Sequence, residues 1–147
     1  MDEVVAIVGR IAAAPFDPRP RAVPPALRGA LLGGRPLGPR EPSILVHLAQ
    51  RALGDAQWTD DTTVEQYLDD LRQAASDARA RLALYRARGG CVAGIFAPNQ
   101  VPTARQGEGA LPWLYVVYSA DRGTIVSGYQ VSSEQTIRLP GDERWLK

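Results

Sequence analysis

The sequence has 147 residues, enough for one domain with its own core, and 45% of them are hydrophobic while 22% are charged. The formal net charge is only +1, whereas proteins that hold nucleic acid mainly by electrostatic attraction are usually more basic. His47 and Cys91 are the sole histidine and the sole cysteine, which excludes an internal disulfide, a cysteine-based zinc site and any mechanism with two imidazoles.

No apolar run approaches the roughly 18 residues of a membrane helix, and the sequence begins Met-Asp-Glu without the basic segment of a secretory signal. We therefore expect a cytoplasmic protein without membrane contacts. Lys147 is the sole lysine among 17 basic residues. This arginine bias, with frequent Ala, Gly and Pro, suggests a bacterial genome rich in G and C.

The chain is expected to form one domain, 1–147, in four successive parts. The first, 1–14, is predicted to be a helix from Asp2 to Ala14, which Pro15 ends because proline breaks helices. Its apolar stripe consists of Val4, Ile7, Val8 and Ile11. The other parts are a Pro/Arg-rich arm at 15–42, a helical part at 43–88, and an antiparallel sheet with a C-terminal tail at 89–147.

The arm is the most unusual segment of the sequence. Residues 15–42 hold eight of the 12 prolines, five arginines and two acids, which gives a net charge of +3. The favoured interpretation is an arm that wraps the domain or a partner, and the alternative is a basic arm for nucleic acid. Within it, Pro25 to Leu32 is predicted to form a short helix that Gly33 and Gly34 end.

Two helices are predicted in the helical part. Ser43 to Leu53 is expected to be helical with Ser43 as N-cap, although Ile44 to Leu48 is also a good strand sequence. His47 lies in this segment, where a lone histidine is more often a packed or surface residue than a catalyst. The second helix, Thr63 to Arg88, is predicted to be long and amphipathic.

A capping box and an apolar seam indicate this long helix. Thr62 is predicted as its N-cap and Glu65 as the residue that reaches back. Apolar residues then recur at spacings of three and four, which is typical of a helix that packs on a sheet. They are Val64, Leu68, Leu71, Ala75, Ala78, Leu82 and Tyr85. A dimerising coiled coil is the alternative interpretation of the seam.

Three or four antiparallel strands are predicted after the long helix. The predicted strands are Cys91 to Ala97, the two arms of a hairpin over Trp113 to Gln130, and Gln135 to Leu139. A long polar loop over 98–112 precedes the hairpin, and loops of that length are often functional. Trp145 and Leu146 are expected to dock the tail on the core.

The hairpin concentrates four hydroxyl groups, those of Tyr115, Tyr118, Ser127 and Tyr129. Alternation predicts that Ile125, Ser127 and Tyr129 share one face, with Tyr118 joining them in one of the two registers. Arginines hold phosphate charge and hydroxyls donate to phosphate oxygens. The candidate substrate-binding residues are Arg105, Tyr118, Ser127, Tyr129 and Arg138. The alternative is a half-solvated sheet face without a ligand.

No nucleotide-binding glycine motif, zinc-protease motif or CxxC pair occurs in the sequence, and no cofactor is expected. The acidic group Asp55, Asp60 and Asp61 lacks the spacing of a calcium loop. Two of these residues precede a predicted helix, where carboxylates are favourable in any case. No metal site is predicted.

Helices followed by an antiparallel meander resemble RelE/barnase/EndoU-type ribonuclease toxins over about residues 63–139. The segments Val116 to Tyr118 and Gly123 to Tyr129 resemble the late strands of that group. Members often carry a Ser or Thr and a Tyr on such a strand to orient RNA, so the resemblance implies that Ser127 and Tyr129 bind substrate. The region contains no histidine or lysine, and no catalytic residue is assigned.

The predicted fold is α+β, with N-terminal helices and a three- to four-stranded antiparallel sheet. The predicted function is RNA binding or a ribonuclease-toxin-like activity, with RNA or an antitoxin-like protein as partner. The alternative is a non-enzymatic protein-interaction or homodimerising module. A concave, positive surface over the hairpin favours RNA, whereas a flat, apolar one favours a protein contact.

Overall fold

A five-stranded antiparallel sheet covered on one face by helices forms the centre of the computed structural model, which describes residues 2–87 and 89–147. The helices are α1 (Asp2–Ala12), α2 (Ser43–Ala49) and α3 (Val64–Ala74). The sheet strands are β5 (Arg81–Ala87), β6 (Gly90–Pro98), β7 (Trp113–Ser119), β8 (Thr124–Val131) and β9 (Arg144–Trp145), in the order β8-β7-β6-β5-β9. The α+β prediction is confirmed, and the sheet has five strands rather than three or four.

The arm folds into two small antiparallel ladders. Strand β1 (Pro20–Ala22) pairs with β4 (Arg40–Pro42), and β2 (Leu31–Leu32) pairs with β3 (Arg35–Pro36). The helix predicted over Pro25 to Leu32 is wrong, because only a 3-10 turn at Pro25–Leu27 forms. Gly33 and Gly34 have φ of 59° and 81° and supply the positive φ of a tight hairpin turn rather than a helix end.

The arm also packs on the domain through Val23, Leu32 and Leu37, which are buried in the main core. The following segment is helical, as predicted, and not a strand. Helix α2 continues into a π-helical turn at Gln50–Gly54, and its N-cap is Pro42 rather than Ser43, which is already the first helical residue.

The long helix from Thr63 to Arg88 is wrong in its second half. Helix α3 ends at Ala74, the chain turns, and β5 begins at Arg81. The capping box is also shifted by one residue. Thr63 Oγ1 accepts from the Gln66 N–H at 3.2 Å, and Gln66 Oε1 accepts from the Thr63 N–H at 3.0 Å. Arg88, the predicted end of the helix, lies outside the described residues, as does Met1.

A strand replaces the second half of that helix because its side chains also alternate between two faces. Leu82 points to the buried helix side, while Ala83 and Tyr85 lie on the opposite face. Asp77 accepts from the Arg79 N–H at 2.8 Å in the turn that separates α3 from β5. Seven residue pairs with β6 then stabilise the extended form. The helical spacing of Leu82 and Tyr85 was therefore misleading.

The C-terminal region differs from the prediction in one strand. Gln135 to Leu139 is not a strand, and a 3-10 turn at Glu134–Thr136 lies there instead. The edge strand is β9. Leu146, the residue that follows it, donates its N–H to the Leu82 carbonyl at 2.8 Å and packs on the core. The expected docking of the tail is thus confirmed for Leu146 but not for Trp145, which is 37% exposed.

Packing of α3 on β8 leaves no room for a side chain at Gly128, because an added Cβ would overlap the Leu71 side chain. We expect Gly128→Ala to lower the free energy of unfolding by about 1–3 kcal/mol. Gly9→Ala is the control, since Gly9 lies in α1 and a Cβ added there would meet no atom within 4 Å. It should raise stability by about 0.5–1 kcal/mol in urea unfolding. Effects of the same sign would contradict this packing.

Candidate functional site

The hairpin hydroxyls lie on two different faces of the sheet because Tyr115 and Tyr118 alternate along β7, and a bulge in β8 places Ile125 on the face of Tyr118. Tyr115 pairs with Tyr129 and Val117 with Ser127, but Tyr118 then pairs with Ile125, so Val126 is the extra residue. Ser127 and Tyr129 therefore share the outer face, opposite the helices, with Tyr115. Tyr118 is 2% exposed and lies in the core with Ile125. The prediction that Ile125 shares a face with Ser127 is wrong.

The two candidate arginines lie away from these hydroxyls. Arg105 belongs to the loop after β6, where its guanidinium bonds the Asp70 carboxylate of α3 at 2.5 and 3.1 Å on the helix side. Trp58 Nε1 donates to the same carboxylate at 3.1 Å. Arg138 is exposed in the C-terminal segment and not on a strand. Of the five candidates, only Ser127 and Tyr129 are brought together.

Aromatic contacts dominate the outer face over the hairpin. The Tyr115 and Tyr85 hydroxyls share a hydrogen bond of 2.6 Å, and the Arg51 guanidinium lies 4.8 Å from the centre of the Tyr129 ring. Burial raises the pKa of Tyr115 and of Tyr129 above the ordinary tyrosine value. Ile137 and Leu139 of the chain's own C-terminal segment pack here. This apolar surface does not have the positive character that was expected to favour RNA.

A cavity of about 550 Å³, here called the arm cleft, lies between the arm and the end of the sheet. It opens between β1, the start of α2, the β5–β6 turn and the β7–β8 turn. It brings together the sole histidine, the sole cysteine and three arginines of the arm and sheet. These are His47, Cys91, Arg19, Arg21 and Arg122.

Backbone pairing holds the arm against the start of α2. The Ser43 N–H donates to the Arg19 carbonyl at 3.1 Å, and Arg21 pairs with Glu41 across the β1–β4 ladder. On the sheet side, the Asp121 carboxylate accepts from the Cys91 N–H at 2.8 Å and ties the β7–β8 turn to β6. Both walls of the arm cleft are therefore fixed by hydrogen bonds that involve main-chain N–H groups.

The charges in the arm cleft are only partly compensated. Asp17 forms ion pairs with Arg19 at 2.6 Å and with Arg122 at 3.1 Å. Arg21 forms no ion pair with a carboxylate of the described residues; its Nη1 lies 3.3 Å from His47 Nε2. A guanidinium can only donate, so Nε2 accepts in this contact. His47 is 8% exposed.

The arm cleft also contains a hydroxyl without a partner. Thr124 Oγ1 is buried, and no described residue bonds it. Buried polar groups normally have partners, so the unpartnered hydroxyl marks Thr124 as a candidate ligand-binding residue of the arm cleft. Sequence reasoning missed Arg21, His47 and Thr124 as a group because they come from three distant segments. The +3 charge of the arm was the one available signal.

No cluster of metal-ligating side chains is found in the described part of the chain. Among residues 2–87 and 89–147 no three His, Cys, Asp or Glu side chains are arranged to hold a metal ion. None of the described helices is long and apolar enough to cross a membrane.

Comparisons of the chain with protein-family models, with curated proteins and with solved structures found no match.

The Arg105–Asp70 ion pair is expected to support the fold, since the Asp70 side chain is 1% exposed. We expect Arg105→Ala to cost about 3 kcal/mol of stability, because it leaves a buried carboxylate without its cation. Arg79→Ala is the control, because that arginine is 65% exposed in its pair with Asp77. This substitution should change stability by about 1 kcal/mol or less. Equal losses in urea unfolding would contradict a structural role specific to Arg105.

Proposed function

We propose that the arm cleft binds phosphate groups of RNA, so that the protein is an RNA-binding and ribonuclease-like protein. The observation that carries the proposal is Arg21, whose guanidinium lines the cleft, contacts His47 and forms no ion pair with a described carboxylate. A phosphate would supply the missing anion, and guanidinium groups bind phosphate oxygens in pairs.

The other groups of the cleft suit the same ligand. The unpartnered Thr124 hydroxyl can donate to a phosphate oxygen. Arg122, on the opposite wall, shares Asp17 with Arg19 and retains donors for a second oxygen. A volume of about 550 Å³ is in the usual range for small-ligand pockets, roughly 300–1,000 Å³, and suits a nucleotide unit.

Ser127 and Tyr129 extend the proposed RNA path onto the outer face. Ser127 lies three residues beyond Thr124 on β8, which corresponds to roughly 10 Å along a strand. A single strand held in the arm cleft would continue toward the half-buried Tyr129, whose ring lies beside the Arg51 guanidinium, whereas the Ser127 side chain is 9% exposed and would first have to be uncovered. This assigns both residues the orienting role that the resemblance to ribonuclease toxins implies, while Arg105, Tyr118 and Arg138 have no part in it.

His47 is the proposed proton acceptor for cleavage. A phosphate held by the Arg21 guanidinium would lie beside His47 Nε2, the proposed acceptor for the proton of the adjacent ribose 2′-hydroxyl. The 2′-oxygen then attacks phosphorus, the bond to the 5′-oxygen breaks, and the leaving oxygen takes a proton from the imidazolium or from water. Arg21 would stabilise the charge on the phosphorane.

Arg21→Ala is expected to weaken binding of a fluorescent single-stranded RNA about tenfold. The slope of log affinity against log salt should fall by about 0.7 for the lost phosphate contact. Arg10→Ala removes the same charge from an exposed position of α1 outside the cleft, and should leave the slope unchanged. Anisotropy titrations at low and moderate salt measure both.

Absence of RNA binding at either salt concentration would remove the proposal. The second candidate, a protein-interaction or homodimerising module, would then take precedence. Its support is the outer face, where the half-buried Trp113 ring stacks on Phe96 at 4.9 Å. Light scattering would test for the dimer.

His47→Gln is expected to reduce RNA cleavage by about 100-fold or more while RNA binding persists. Glutamine retains an acceptor for Arg21, so the variant separates proton transfer from phosphate binding. The measurement is cleavage of a labelled RNA at saturating protein. Binding by the native protein without any cleavage would restrict the function to RNA binding.

A further inference from the structure

A second cavity lies on the outer face of the sheet, between β5, β6, β7, β9 and the C-terminal segment. This outer-face pocket measures about 210 Å³. Its walls are aromatic and aliphatic side chains together with two carboxylates, and no arginine or lysine lines it. The aromatic residues are Phe96, Tyr115 and Trp145, and the carboxylates are Glu134 and Glu143.

The two carboxylates differ in their partners. Glu134 forms an ion pair with Arg81 at 2.5 Å, and the Arg81 guanidinium lies 4.1 Å from the centre of the Trp145 ring. Glu143 Oε2 is buried, and no described residue donates a hydrogen bond to it. Burying a carboxylate oxygen without a hydrogen-bond donor costs free energy, because the oxygen loses its hydration and gains no hydrogen bond.

We propose that the outer-face pocket binds a small organic cation, with its ammonium group beside Glu143 and against the rings of Trp145, Phe96 and Tyr115. Aromatic faces attract cations, and recognition of ammonium ligands by aromatic walls is a known use of that attraction. Glu143 adds the counter-charge. The rim already contains one such contact, between Arg81 and Trp145.

Other ligand classes fit this pocket less well. An anion would meet the uncompensated Glu143 carboxylate and no basic side chain of the lining. A neutral apolar molecule would leave the Glu143 oxygen without a partner. The volume of about 210 Å³ lies below the roughly 300 Å³ at which drug-sized ligands begin, so the ligand is smaller than a nucleotide. The site is independent of the arm cleft.

Titration with choline and with its uncharged isostere 3,3-dimethyl-1-butanol tests the proposal. The two probes have the same shape, so a difference in affinity reports the charge. We expect choline to bind at least tenfold more tightly by calorimetry and by the change in Trp145 fluorescence. Trp145→Phe should remove the fluorescence change and identify the reporting ring. Equal affinities, or no binding of choline, would overturn the proposal.

Glu143→Gln should weaken choline binding about tenfold and leave the isostere unaffected. Glu108→Gln is the control, because Glu108 is exposed in the loop after β6 and does not line the pocket; it should change neither affinity. Unchanged choline binding by folded Glu143→Gln protein would contradict the assignment. If that variant does not fold, the comparison of the two probes on the native protein still decides.

Discussion

Strand β8 depends on side chains of the helical half to satisfy its free edge. It has only β7 as a sheet neighbour, so alternate residues turn their N–H and carbonyl groups away from the sheet. The Tyr67 hydroxyl donates to the Gly128 carbonyl at 2.6 Å and accepts from its N–H at 3.1 Å. The Gln57 amide does the same for Gln130, at 3.0 and 2.7 Å. Because buried backbone groups need partners, two side chains replace a missing strand.

The arm completes this edge and thereby positions the arm cleft. The Ile125 N–H donates to the Pro15 carbonyl at 3.0 Å, and Phe16 forms a parallel bridge with Ile125. The arm therefore begins beside β8 directly after α1. Thr124, the first residue of β8, lines the arm cleft. One set of edge contacts fixes the sheet wall and the arm wall together. The place where Arg21 meets His47 is thus a consequence of how the edge of β8 is closed.

Local patterns predicted much of the fold and little of the site. The hairpin, α1, α2 and the start of α3 follow from alternation, helical spacing and capping. Tyr85 was assigned to a helix because its spacing fits one. Only the pairing of β5 with β6 distinguishes a strand from a helix at this position. The bulge at Val126 escaped prediction since valine suits any strand position. The arm cleft escaped because Arg21, His47 and Arg122 meet only through the tertiary fold, which no spacing rule encodes.

The low net charge does not by itself argue against the proposed phosphate site, because net charge averages over ion pairs that lie in different parts of the fold. The value of +1 includes carboxylates that are committed to nearby arginines, as Asp70 is to Arg105 and Asp17 is to Arg19. A ligand responds to the potential where it binds, and a cleft with low-dielectric walls focuses that potential. One uncompensated guanidinium beside a buried imidazole suits recognition of one or two phosphates, not of a long charged tract. A nearly neutral chain is therefore compatible with the proposed binding of phosphate in the arm cleft.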